Sequence, residues 1–201
     1  MPPVSNSEKY FSLVKDRNCD ECMVCCNYLS INTSVLKKPA DELCKNYVKN
    51  HGCSIYDTRP NVCRTWHCLW RRTAALPDEL RPDKCNVLFS LNVSFEPMQI
   101  FENAYIVCMA LTDPSAFDNS SVSAALDMFI EDGTLPVWLS YAGSKSLVWP
   151  KKELADAILC PSTSQSTDLI PDGKAWVNRF NGMLEPLQDL QATFGLEFLR
   201  A

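Results

Sequence analysis

The stretch that decides how this chain folds lies near its start. Residues 19–26 read Cys-Asp-Glu-Cys-Met-Val-Cys-Cys, so Cys19, Cys22 and Cys25 repeat at intervals of three and Cys26 follows directly. A Cys-x2-Cys pair lets two thiolates meet at one metal ion, because the turn between them points both sulfur atoms inward. Three such cysteines in series can hold three corners of an iron–sulfur cube. The stretch therefore predicts a metal site built from thiolates.

More cysteines follow within the first half of the chain. Nine of the eleven lie between residues 19 and 85, and beyond the first four these are Cys44, Cys53, Cys63, Cys68 and Cys85. Eight could fill two four-cysteine sites and four could fill one, and the spacing does not choose between these. Because adjacent side chains usually diverge, Cys25 and Cys26 are expected to serve different sites or different faces of one site.

Three other uses of cysteine are less consistent with this pattern. A disulfide framework is disfavoured by the odd total and by an N-terminus without the features of a signal peptide. A thioredoxin-like redox pair needs a βαβ context that residues 1–40 do not offer. Buried inert thiols suit Cys108, Cys160 and Cys85 better than the clustered residues. A radical-SAM motif, Cys-x3-Cys-x2-Cys, is also excluded. Cys22 and Cys26 have its first spacing, but position 29, where the third cysteine would stand, is leucine.

Composition restricts the class of protein. The chain has 201 residues, of which 46% are hydrophobic and 21% charged, as is typical of a globular domain. A net charge of −5 argues against nucleic acid or an anionic membrane as partner. No apolar run approaches the roughly 20 residues of a membrane-spanning helix. We expect a cytoplasmic protein.

Three linked motifs resemble a known family. They are the Cys19–Cys26 run, then Gly52-Cys53-Ser54-Ile55-Tyr56, then Arg59-Pro60-x2-Cys63-Arg64. Together they resemble the CxxCxxCC zinc- or iron-chelating domain family, the bacterial YkgJ-like cysteine cluster proteins, over about residues 19–105. Flagellin lysine methylase is similar in its cysteine region. The resemblance implies metal binding by Cys19, Cys22, Cys25, Cys26, Cys44, Cys53 and Cys63. Cys68 falls where some members have cysteine and others do not, and we include it.

Residues around these motifs have expected supporting roles. Gly52 permits a turn with positive φ just before Cys53. Pro60 can begin a helix whose first turn carries Cys63. Arg59 and Arg64 could offset thiolate charge or form ordinary surface ion pairs. His67 could share a metal with Cys63, although a half-buried histidine without that role fits better. Tyr56 and Trp66 are expected in the core.

Apolar periodicity and turn residues predict an α+β fold. Helices are predicted over 6–16, 60–72, 121–132, 150–159 and 171–193. Strands are predicted over 28–31, 87–93, 98–107, 135–141 and 146–149, with 87–93 and 98–107 antiparallel and the last two forming a hairpin. We expect a small, loop-rich, metal-stabilised region over 1–105, packed on an antiparallel β and helical part over 106–201. The two parts could also form one continuous domain.

The first functional hypothesis is a metal-binding cysteine cluster protein, with a [4Fe–4S] cluster or zinc ordering residues 19–68. An alternative is a modification or redox enzyme whose cluster is structural or carries electrons, with a small substrate. Another alternative is a zinc-stabilised adaptor that binds a protein partner through its acidic C-terminal half. The residues indicate no catalytic set, and they do not separate zinc from iron–sulfur.

Overall fold

A computed structural model describes residues 12–94, 96–160 and 169–194. Most of the helix predicted over 6–16 lies outside these residues, and its described end is not helical. Asp16 has a positive φ, and the backbone N–H of Val14 donates to the carbonyl oxygen of Arg71. The Arg17 guanidinium also donates to the carbonyl oxygens of Trp70, Thr73 and Leu76. These contacts replace a local helix with long-range bonds.

A four-stranded sheet forms the centre of the fold. Its strands are β5 (Val87–Val93), β6 (Ala104–Ala110), β7 (Val137–Tyr141) and β8 (Ser144–Trp149), and they lie in that order across the sheet. Strands β5 and β6 are antiparallel, with Val87 opposite Ala110, and β7 and β8 form the predicted hairpin. Strands β6 and β7 are parallel, so the two predicted pairs join into one mixed sheet.

Strand β6 begins later than predicted. Residues 98–103 form bends and a 3-10 turn instead of extended backbone. The carboxylate of Glu102 accepts from the backbone N–H of Met98, and the Asn103 amide donates to the carbonyl oxygen of Ile100. Side chains that satisfy nearby backbone groups in this way compete with strand formation. Because β6 begins at Ala104, the boundary that the sequence analysis places near residue 105 lies inside this strand.

Helices of the C-terminal half cover the sheet. They are α5 (Ser120–Asp132), α6 (Lys152–Leu159) and α7 (Leu169–Phe194), and α5 connects the parallel strands β6 and β7. As predicted, α5 ends at Gly133, which has a φ of 64°. The carbonyl oxygen of Gly133 accepts from the indole N–H groups of both Trp149 and Trp176, at 3.1 and 2.8 Å. These bonds tie β8 and α7 to the end of α5.

The cysteine-rich region contains only short elements. They are α1 (Val24–Tyr28), β1 (Ile31–Asn32), β2 (Lys37–Lys38), β3 (Tyr47–Val48), β4 (Gly52–Cys53), α2 (Asn61–Thr65), α3 (Leu69–Arg72) and α4 (Pro82–Cys85). Strand β1 pairs with β2, and β3 pairs with β4, each antiparallel. This agrees with the loop-rich region expected from the sequence.

The helix predicted over 60–72 is broken into two pieces. Between α2 and α3 the backbone is extended, with ψ of 130° at Trp66 and 161° at Cys68. Leu69 and Trp70 are then buried in the core shared with the sheet. The Arg72 guanidinium donates to the carbonyl oxygens of Thr65 and His67, which an unbroken helix would have used. The prediction of one helix was wrong because these tertiary contacts outweigh helical periodicity.

Strand β5 connects the cysteine-rich region to the rest of the protein. Successive side chains of a strand point to opposite faces of its sheet. Phe89 contacts Phe129 of α5, with ring centroids 6.0 Å apart. Leu88, on the opposite face, lines a cavity among the cysteines. The cysteine-rich region and α5 therefore lie on opposite sides of β5, which is buried along nearly its whole length.

Gly52 fits the hairpin of β3 and β4 closely against the first cysteine loop. Its φ is 76°, as the predicted turn requires, and a Cβ atom there would lie 3.3 Å from the carbonyl oxygen of Asp20. Gly143, in the β7–β8 turn, has a φ of 80° and open space around it. A side chain at either glycine would strain the backbone, because both have a positive φ. Only at Gly52 would the side chain also press against a neighbouring atom.

This difference predicts the stability of two alanine variants. Gly143→Ala should cost about 1–2 kcal/mol, the typical cost of a left-handed conformation for an L-residue. Gly52→Ala should cost more, because the new methyl group also meets a backbone oxygen that cannot rotate away. Urea unfolding of both variants measures the difference. Equal losses would show that the Asp20 contact does not constrain the hairpin.

Candidate metal centre

Eight cysteines line one cavity of about 110 Å³. They are Cys19, Cys22, Cys25, Cys26, Cys44, Cys53, Cys63 and Cys68. These are the residues that the sequence predicted as metal ligands. The other three lie elsewhere: Cys85 is buried with its Sγ near the carbonyl oxygens of Leu80 and Val87, Cys108 is buried in β6, and Cys160 is exposed. The fold therefore brings the predicted residues around a single space.

Short backbone contacts hold the cysteine-bearing segments together. The N–H of Cys22 donates to the carbonyl oxygen of Cys19 at 2.7 Å, which closes the first Cys-x2-Cys turn. The N–H of Cys44 donates to the carbonyl oxygen of Cys26 at 2.9 Å, which joins the loop before β3 to α1. Cys53 ends the β3–β4 hairpin, where it stands opposite Tyr47. Segments far apart in sequence are thus fixed side by side.

The thiols are free and are not arranged as a finished ligand set. The eight cavity cysteines form no disulfide bond among the described residues. Within 12–94, 96–160 and 169–194, no group of three or more His, Cys, Asp or Glu side chains is placed to hold a metal ion as it stands. The cavity brings donors into one place without fixing how each would bind.

Buried positive charge surrounds the cavity. Arg71 is only 8% exposed, and its Nε and Nη1 have no hydrogen-bond partner among the described residues. Arg59 lines the cavity with its guanidinium 3.7 Å from the Tyr56 ring centroid, and its Nε is also unpartnered. Both arginines act electrostatically on Cys19. Burying a cation without compensation is unfavourable, so this environment suits a negatively charged occupant.

Lys38 provides a third cation. Its side chain is 6% exposed, and Nζ donates to the carbonyl oxygens of Asn27, Leu29 and Pro39 at 2.9, 2.6 and 2.8 Å. It acts electrostatically on Cys44 and Cys26. The three carbonyl oxygens are neutral acceptors, so they hold the ammonium group in place without cancelling its charge.

Most cavity thiols are held in the protonated form. Burial raises the pKa of Cys22 and of Cys63 to about 11, and that of Cys68 to about 12. Cys26 differs, because a hydrogen bond from the Cys25 thiol, helped by Lys38 and Arg59, lowers its pKa to about 7. The same bond, together with burial, raises the pKa of Cys25. Without metal, neutral thiols therefore stand beside buried cations.

The aromatic and histidine predictions are partly confirmed. Trp66 is partly buried against the core, but Tyr56 is 47% exposed and its prediction as a core residue was wrong. It lies on the outside because its ring stacks on Arg59. His67 is half-buried beside the cavity, and burial, with Arg72 nearby, lowers its pKa to about 4. Its ring is therefore neutral at physiological pH.

The sequence alone assigns no role to Lys38 or Arg71. Lys38 lies in a stretch where no strand is predicted, whereas it pairs with Ile31 in the β1–β2 hairpin and is buried. Arg71 lies near the end of the helix predicted over 60–72. A signal existed only for Lys38, since Lys37 and Lys38 occupy alternate faces of a strand. Arg71 is buried by the break between α2 and α3, which no local pattern indicated.

Comparison of the chain with protein-family models, curated proteins and solved structures gives no match in any of the three. The resemblance to the CxxCxxCC family stays a prediction. The functional argument therefore depends on the site itself.

The residues fit a thiolate-bound metal in two respects. The donors are of the kind and number that zinc and iron–sulfur clusters take, and the unpartnered arginine nitrogens suit the negative charge that four thiolates leave on a divalent centre.

Among the described residues, no helix combines the length and apolar character needed to cross a membrane.

We expect Cys26 to ionise at lower pH than Cys22, Cys25, Cys63 and Cys68 in the metal-free chain. Its folded pKa lies below the ordinary value of 9.0, so its thiolate should appear as pH rises through about 7 and disappear below it. Iodoacetamide labelling of the folded protein between pH 5 and 10, mapped by peptide mass spectrometry, measures this. Cys63 in the same samples should keep gaining reactivity above pH 9.

Lys38→Met tests the cause of this shift. Removing the ammonium group should move the midpoint of Cys26 labelling to higher pH, because one source of thiolate stabilisation is lost. Lys37→Met is the matched control, since Lys37 is the exposed neighbour on the same strand. A midpoint that moves equally in both variants would contradict a specific role for Lys38.

Proposed function

We propose that this chain is a metal-binding cysteine cluster protein whose cavity thiolates hold a [4Fe–4S] cluster or zinc. One observation carries the proposal: eight of eleven cysteines, drawn from segments spread over residues 19–68, line a single cavity. The resemblance of the three cysteine motifs to the CxxCxxCC family supports the same function.

Charge balance supports metal over inert thiols. Arg71 acts on Cys19, a thiol that burial keeps protonated by raising its pKa, whereas Lys38 has Cys26 and the Asp41 carboxylate within electrostatic range. Binding a divalent centre displaces the thiol protons and leaves the site with net negative charge. That charge compensates the cations, whereas neutral thiols cannot. Arg71 and Arg59 would then have acceptors for nitrogen atoms that otherwise lack them.

Zinc and an iron–sulfur cluster would share this donor set. The three cysteines at intervals of three, Cys19, Cys22 and Cys25, favour an iron–sulfur cluster, because serial Cys-x2-Cys ligands are typical of cluster-binding loops. Either centre supplies cross-links between segments, and a cluster can in addition accept an electron. Thiolate ligands need a reducing compartment to stay out of disulfide bonds, and we therefore propose the cytoplasm.

Protein purified without air should contain bound metal. We expect iron with acid-labile sulfide and a brown colour, or zinc and no colour, at one or two sites per chain. Elemental analysis, sulfide assay and the visible spectrum measure this. A metal-free protein whose eleven thiols all react freely under native conditions would sink the proposal.

Serine variants should separate ligands from other cysteines. Cys22→Ser and Cys53→Ser should lower metal content and soluble yield, because a structural thiolate site contributes on the order of 10 kcal/mol to folding. Cys160→Ser and Cys108→Ser should keep wild-type metal content, although a buried hydroxyl at Cys108 should cost about 1–3 kcal/mol. Loss of metal in Cys108→Ser would extend the site into β6.

Arg71→Met should change stability in opposite directions with and without metal. The metal-free chain should become more stable, because an uncompensated buried cation is removed. The metal-loaded protein should release metal to EDTA faster, because its negative charge loses a counter-ion. Arg64→Met is the control: Arg64 is exposed on α2, so its loss should leave the stability and the metal release of both forms nearly unchanged. Equal effects of Arg71→Met and Arg64→Met would contradict a counter-ion role.

A further inference from the structure

The cavity thiols divide into two groups by their neighbours. Cys63 lies within electrostatic range of Cys26, Cys44 and Cys53. The backbone holds three of these residues, Cys26, Cys44 and Cys53, close together. The N–H of Cys44 bonds the carbonyl oxygen of Cys26, and the hairpin that follows Cys44 carries Cys53. The N–H of Tyr47 donates to the carbonyl oxygen of Cys44 at 2.9 Å, so the hairpin carrying Cys53 begins at this point.

The remaining four cysteines form the other group. Cys68 lies within electrostatic range of Cys19 and Cys22, and Cys25 is within range of the same two residues. Contacts between the groups run through Cys26, which is hydrogen-bonded to Cys25 and lies within electrostatic range of Cys19. The 2.7 Å backbone bond between Cys22 and Cys19 closes the turn that presents both.

The broken helix explains how Cys63 and Cys68 come to different groups. Cys63 lies in α2, whereas Cys68 follows an extended segment and directly precedes α3. The change of direction at Trp66–Cys68 carries the second cysteine to the Cys19–Cys22 turn, while the first stays beside Cys44 and Cys53. The adjacent residues Cys25 and Cys26 belong one to each group.

Positive charge is available to both groups. Lys38 acts on Cys26 and Cys44 and, less strongly, on Cys25. Arg71 acts on Cys19, and Arg72 acts on Cys68. Arg59 acts on both Cys19 and Cys26. Four thiolates around a divalent centre keep a net negative charge, so cations near each group favour a centre there.

We propose that the cavity holds two adjoining four-thiolate centres, one on Cys19, Cys22, Cys25 and Cys68 and the other on Cys26, Cys44, Cys53 and Cys63. This rests on the proposed function, since it divides the ligands of the same site. It assigns a ligand role to Cys68, and it makes Cys25 and Cys26 the point where the two centres meet.

The test counts metal in full-length protein purified without air and exposed briefly to EDTA, with zinc or iron as the metal measured. Wild type should hold two equivalents, as two zinc ions or two clusters. The double variant Cys25→Ser/Cys68→Ser removes two ligands of one centre and should keep half the metal. Cys25→Ser/Cys63→Ser removes one ligand from each centre and should keep almost none.

Cys85→Ser is the matched control. Cys85 is buried but lies outside the cavity, and its Sγ contacts two backbone carbonyl oxygens that a serine hydroxyl can also meet. It should keep both equivalents. If each double variant loses all metal while wild type holds one equivalent, the division is overturned and the proposed function stands. If wild type holds none, the proposed function itself fails.

A second measurement uses wild type alone, so it tests the division even if the double variants fold poorly. Wild type is treated with EDTA until half its metal is lost, then alkylated and mapped by peptide mass spectrometry. The newly labelled cysteines should all come from one group of four, with the other group protected. Labelling that mixes the groups, such as Cys63 together with Cys68, would overturn the division.

Discussion

Eight cysteines line one cavity, and the buried cations Lys38 and Arg71 act electrostatically on thiols of that cavity. We propose that the order of residues 19–68 depends on how these charges balance. The segment has only two-residue strands and helices of at most five residues, so regular backbone hydrogen bonding contributes little to it. Its buried apolar residues are few and are separated from one another along the chain, among them Val24, Leu29 and Val62. Lys38 and Arg71 add charges that are unfavourable inside unless an anionic group faces them. The proposed thiolate-bound centre would supply both the cross-links and the negative charge.

The sheet provides the rigid support for this arrangement. Strand β5 presents Leu88 to the cavity and Phe89 to α5, so its two faces join the cysteine-rich region and the helical half in one core. Leu69 and Trp70 anchor the chain after Cys68 in that same core. The cavity is thus bordered by well-packed structure on one side. On the other side the cavity wall reaches the surface at Tyr56, which is 47% exposed.

The proposed pair of centres depends on two local departures from regular structure. The positive φ of Gly52 lets the β3–β4 hairpin approach the backbone of Asp20, which brings Cys53 toward the first cysteine loop. The break between α2 and α3 sends Cys63 and Cys68 to different neighbours. Both departures persist because tertiary contacts stabilise them: the Arg72 guanidinium bonds the oxygens left free at the break.

The sequence by itself determined the α+β class, most of the C-terminal helices, the β5–β6 and β7–β8 pairs, and the eight cysteines that meet at the cavity. Those features depend on local periodicity, turn residues such as Gly133, and spacing, which are readable one segment at a time. Tertiary structure alone decided the parallel contact of β6 with β7, the break at Trp66–Cys68 and the burial of Arg71. Each of these joins residues distant in sequence, or overrides a local preference through contacts with distant groups. The proposed division of the thiols also depends on tertiary structure, because the turns of the chain in space set which cysteines become neighbours.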